Sequence, residues 1–233
     1  MAAQQAYIEK VSLFAQGCTK IAVSQVLADE YGVTAAELAA LPPLIQGVRA
    51  TSARAQTAEA QQTQATTQVQ LCLKTVKGSA SKLRTALNNN LKRTHPLFKQ
   101  LGLLEKAPTQ QEAYIGYSDQ IFTLGEAVDG PNAAVLAKLK WDKTRFADSK
   151  AQVAELRAAN MAQEAAKGEY ELAIKGLYDQ FDTLDEAYRP LAKNARSAFR
   201  DNPGELEALG LKSGIPAKPR RPVPTQARKT AQA

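Results

Sequence analysis

The chain has 233 residues, a formal net charge of +7, 44% hydrophobic but only 6% aromatic residues, two cysteines and one histidine. Length alone allows one or two domains, but three Cys and His side chains fall short of the four ligands of a structural zinc site. No stretch reaches the roughly 18 uninterrupted apolar residues of a membrane span, so the reading is of a chain without metal, cofactor or membrane span. The start, Met1-Ala2-Ala3-Gln4-Gln5, lacks the basic and apolar regions of a secretory signal, which makes a cytoplasmic setting the expectation.

Taken in chain order, the first element is a helix over residues 6–16 carrying Tyr7, Ile8 and Phe14. Thr34 with Glu37 three residues on has the form of a capping box opening the next segment. From Leu44 to Asn90, positions 44, 48, 51, 55, 58, 62, 65, 69, 72, 76, 79, 83, 86 and 90 follow an unbroken 4-3 spacing, occupied mostly by small residues. That is a thin coiled-coil seam, admitting close helix approach but needing neighbours for stability. His95-Pro96 then opens a short helix in which Phe98 and Leu101 stack at i and i+3. Gly102 is expected to end it at positive φ, with Leu103 packing back as in a Schellman motif.

The same signals return. Ala113-Tyr114-Ile115 matches Ala6-Tyr7-Ile8, Phe122 and Gly125 match Phe14 and Gly17, and Leu209-Gly210-Leu211 before Pro216 matches Leu101-Gly102-Leu103 before Pro108, all at offsets of 107 or 108. The second copy is therefore read as a helix over 112–128, a long helix from about Ala133 to Tyr188 that Arg189-Pro190 should kink or restart, and a short helix after Asn202-Pro203. In the second copy only Thr144 loosely matches Thr34. Helix-forming Ala, Leu, Gln, Glu and Lys dominate, and no strand pattern occurs. The expected architecture is all-α: an elongated antiparallel helical bundle built from an internal duplication of a unit of about 108 residues. Its parts are repeat unit 1 over 1–108, repeat unit 2 over 109–211, and a disordered basic, proline-rich tail over 212–233.

No catalytic constellation emerges. A Ser or Cys triad needs a histidine base, and His95 sits at a helix boundary; phosphate loops, HExxH and calcium loops are missing, so the expectation is a non-enzymatic protein. Charge carries more information. Between Glu59 and Glu105 there is no acid, and Lys74, Lys77, Arg84, Lys92 and Lys99 fall within one arc at 100° steps, opposite the apolar seam. Between Glu164 and Glu186 seven acids face only Lys167 and Lys175, and six of the net charges lie in the tail, at Lys212, Lys218, Arg220, Arg221, Arg228 and Lys229. Three readings follow: ordinary solvated surface, self-association through opposite flanks, or a grip on nucleic acid or another polyanion by the stripe and tail. The reading preferred is a scaffold, self-assembly or protein-interaction module whose partner is itself or another protein. The polyanion reading through Lys74, Lys77, Arg84, Lys92, Lys99, Lys218, Arg220, Arg221, Arg228 and Lys229 is the alternative.

Overall fold

The computed structural model describes residues 2–211. The tail over 212–233, with Lys218, Arg220, Arg221, Arg228 and Lys229, lies outside the described residues. Every regular element among the described residues is a helix: α1 (Ala2–Gly17), α2 (Ile21–Tyr31), α3 (Ala35–Asn90), α4 (Pro96–Gln100), α5 (Gln111–Glu126), α6 (Gly130–Lys138), α7 (Lys143–Ala198) and α8 (Pro203–Ala208). No single helix among them is long and apolar enough to cross a membrane.

The helix boundaries follow local chemistry. The Thr34–Glu37 capping box opens α3: the Thr34 amide and hydroxyl donate to Glu37 Oε2 at 2.7 and 2.8 Å, and the Glu37 amide donates back to Thr34 Oγ1 at 3.2 Å. These bonds hold Glu37's carboxyl below its ordinary range. So anchored, α3 starts before Leu44 and runs through Pro42 and Pro43. At α7 the capping carboxylate belongs to Asp142, which accepts from the Arg145 amide at 2.9 Å, and not to Thr144.

The short helices end as the sequence requires. Gly102 and Gly210 have φ of 68° and 67°, and the Leu103 and Leu211 amides reach back to the carbonyls of Phe98 and Leu206, each at 2.8 Å. The same closure ends α2, at Gly32, and α6, at Lys140 with φ 60°. There the amides of Val33 and Trp141 donate to Leu27 and Leu136 at 3.1 and 2.9 Å. The turn at Lys140 makes the stretch from Ala133 two helices rather than one. Conversely, α7 passes Pro190 and continues to Ala198, because Tyr188, Leu191, Ala192 and Ala195 are all buried on the same side of it. That packing outweighs the one helical bond that proline removes.

The chain forms two compact units. Among the described residues, unit 1 comprises 2–57 and 171–211. Its core gathers Tyr7, Val11 and Phe14 of α1, Leu27 of α2, Leu41 and Val48 of α3, and Phe181, Leu184 and Tyr188 of α7. Tyr188 stands edge-on to both Phe14 and Tyr7, with centroids 5.3 and 6.2 Å away. Within this unit α3 and α7 run antiparallel, and Gly47 approaches the Gln180 side chain.

Unit 2 is the contiguous stretch Ala58–Tyr170. Here too α3 and α7 are antiparallel, joined by Ser79 donating to Gln152 at 2.8 Å and Gln163 donating to Thr66 at 3.1 Å. The core packs Val69, Val76, Leu83 and Leu87 of α3 with Phe98, Ile121, Phe122, Trp141, Phe146 and Leu156. Trp141 lies parallel to Phe122 at 6.4 Å and against Phe146 at 5.3 Å. Of the sequence-read seam, Val48, Ala55, Ala58, Val69, Cys72, Val76 and Leu83 are buried, whereas Asn90 is exposed, and Leu41, Ile45, Ala80 and Leu87, which lie off it, are buried as well.

Candidate interaction surfaces

Long helices present charge where their apolar seams are turned inward, so the surfaces of interest are the outward faces of α3 and α7. Of the basic stripe, Lys74 and Lys77 are exposed on α3 and Arg84 is half-buried. The 100° progression stops with the helix at Asn90. Lys92 is exposed beyond that end, and Lys99 is exposed on α4.

Two of the stripe's cations are engaged within unit 2. Lys77 Nζ sits 5.4 Å from the centre of the Tyr114 ring. Arg84 donates to the Tyr117 hydroxyl at 2.6 Å and to the Glu105 carbonyl at 3.1 Å. These side chains, with Ser81, line a shallow groove of about 190 Å³ against Leu103 and Ile121. The groove thus places two cations beside two tyrosines. The phenols were not singled out by sequence, since only tertiary structure brings α5 against α3.

The acidic run divides differently. Glu164, Glu169, Glu171, Asp179 and Glu186 are exposed, whereas Asp185 is buried in unit 1. Its carboxylate accepts from the Tyr7 hydroxyl at 2.8 Å and from Arg189 at 2.7 Å. Burial, and then the hydrogen bond to Asp185, push the Tyr7 hydroxyl's pKa well above its ordinary value. Removing the carboxylate with Asp185→Ala strands that hydroxyl in the core and should destabilise the protein by about 1–3 kcal/mol. Arg189→Ala keeps the Tyr7 hydrogen bond but leaves the buried carboxylate without its cation, and should also destabilise, by about 1–3 kcal/mol. Urea unfolding of the two variants measures both losses.

No family model matches this chain, and no curated protein or solved structure does.

Among the described residues no three His, Cys, Asp or Glu side chains cluster as a metal site would require. Cys18 and Cys72 are buried and unbridged, and burial pushes the Cys18 thiol up to about 12. His95 caps α4, its Nδ1 accepting from the Leu97 amide at 3.3 Å.

Tyr188 is buried in the unit 1 core. Its hydroxyl has no hydrogen-bond partner among the described groups, and burial pushes it up to about 12. A hydroxyl that holds its proton more tightly when folded stabilises the fold fully below the unfolded tyrosine's 10.0. That contribution is lost as pH rises through the folded value. Stability should thus fall from about pH 10 upward, and Tyr188→Phe should flatten the fall in denaturant titrations run across that range.

Proposed function

We propose that this protein is a non-enzymatic scaffold and interaction module that works through the outward faces of its long helices, including contacts between copies of itself. The observation that carries this reading is the separation of charge. From 60 to its end at Asn90, α3 carries no acid, whereas residues 164–186 of α7 hold seven acids, of which Asp185 is buried, against two lysines. Matched positions invert in the same way: Tyr7 meets Asp185 in unit 1, while Tyr114 meets Lys77 in unit 2. A molecule carrying both signs on separate surfaces can join its copies through unlike patches, and a contact of that kind that does not close extends into a chain of subunits.

The test is solution mass by light scattering across protein concentration and salt. The expected result is a mass above 25.1 kDa that rises with concentration and falls with salt. A mass fixed at the single-chain value under every condition overturns self-association.

A specific observation favours a second reading, polyanion binding: Lys77 and Arg84 line one groove together with Tyr114 and Tyr117. Retention on heparin that weakens with salt and drops in Lys74→Gln with Lys77→Gln would support it.

We also infer an internal duplication. In its support, helices of 16, 11, 56 and 5 residues are followed by helices of 16, 9, 56 and 6. The turns at Gly32 and Lys140, and at Gly102 and Gly210, repeat at one spacing in the chain.

A further inference from the structure

In unit 1 the C-terminal end of α2, the first turns of α3 and the late part of α7 enclose a groove of about 290 Å³. Its character comes from Tyr31, Glu37, Glu186, Pro190, Leu191 and Asn194. Glu186 makes no ion pair with any described residue, and Glu37 uses only Oε2 in its capping box. Pro190 has no amide hydrogen, so the Glu186 carbonyl four residues earlier lacks its helical donor. The groove therefore offers acceptors in excess: two carboxylates, that carbonyl and the Asn194 side chain, beside an exposed phenol ring and the apolar Leu191. Asp29 and Glu30, exposed on the last turn of α2, add negative charge. The cations nearest along α7 are Arg189, already paired with Asp185, and exposed Lys193.

A guanidinium, with five donors on a planar cation that stacks on aromatic rings, matches this set. We propose that the groove is the docking site of the chain's own segment 212–233, with Arg220 and Arg221 entering between Glu37 and Glu186 and the adjoining prolines lying over Tyr31 and Leu191. The segment's composition fits: six cations, no acid, and Pro216, Pro219, Pro222 and Pro224, a sequence disposed to the extended proline helix that aromatic grooves accept.

Reach is sufficient. The described chain ends at Leu211 in unit 1, where Leu209 lies against Gly17 at the end of α1. From there to the groove is the turn after Gly17 and the length of α2, about 16 Å for the helix and at most roughly 10 Å for the turn. The nine residues from Leu211 to Arg220 span about 28 Å in extended proline-helix form. The contact is made within unit 1 of one chain and does not rest on self-association.

The test uses the full chain and a zero-length carbodiimide, which joins amines to carboxylates, with isotope-labelled and unlabelled copies mixed so that crosslinks within and between chains are told apart. Lys218, two residues from Arg220, should crosslink to Glu186 or Glu37 of its own chain, and the yield should fall several-fold in high salt and in Arg220→Ala with Arg221→Ala. Crosslinks that are absent, spread over the acids of unit 2, or made between chains overturn the proposal. Glu186→Gln, which leaves every described hydrogen bond in place, gives a second readout: trypsin should cut after Arg220 several-fold faster than in the parent. Equal rates would also overturn it.

Discussion

Trp141→Ala should destabilise the protein by about 3–5 kcal/mol, the usual loss for truncating a fully buried indole. Trp141 is the only tryptophan. It is 2% exposed, lies parallel to Phe122, meets Phe146 and carries the Arg145 guanidinium 4.3 Å above its ring. Its backbone closes α6 onto Leu136, so the side chain sits where the chain turns from α6 into α7. A void there leaves three elements without their common contact. Because the variant has no indole fluorescence, the loss is to be read by circular dichroism in urea. Trp141→Phe, which keeps a ring in the stack, should retain more stability than the alanine variant.

Gly125→Val should be nearly as damaging for the opposite reason. A Cβ at Gly125 would fall on the face of the Phe146 ring, which is itself fixed against Trp141. Overpacking of this kind costs about 1–3 kcal/mol, and more where the neighbour has nowhere to go. Gly116, on the same helix α5, has open space where its Cβ would be. Gly116→Ala should therefore stabilise by about 0.5–1 kcal/mol through helix propensity alone. Opposite signs for two glycine substitutions nine residues apart, measured by thermal melts, separate packing from propensity. Phe146→Leu should recover part of what Gly125→Val loses.

Much of this architecture is written in short-range patterns. A 3.5-residue period fixes which face of a helix can meet a neighbour, so the seam through Val69, Cys72, Val76 and Leu83 was readable and is buried. The Leu-Gly-Leu segments specified positive φ at Gly102 and Gly210 because only glycine adopts it without strain. The break between α6 and α7 was hidden because the left-handed turn there is made by Lys140, an ordinary helix former with no marker of a stop. Asp142 two residues on was the available signal, as the N-cap of α7. Pro190 does not restart the helix: whether a helix continues through a proline depends on the packing of Tyr188, Leu191 and Ala195, which lies outside any local window. The charge asymmetry was legible as a count along the chain. Its pairing was not, because Arg84 with Tyr117 and Asp185 with Tyr7 are joined only by tertiary structure.

The two compact units also order events in time. Ala58–Tyr170 is one unbroken stretch, while the other unit needs Met1–Thr57 and a segment starting at Glu171. During synthesis, residues of 1–57 are made before their partners from Glu171 onward. At about 5–20 residues per second, Tyr7, Val11 and Phe14 stay without Phe181, Leu184 and Tyr188 for roughly 10 s or longer, while the intervening stretch has all its own partners and can close first. Synthesis thus completes the chain of the inner unit before that of the outer one. The apolar face of α1 is the part of the nascent chain that a chaperone would meet.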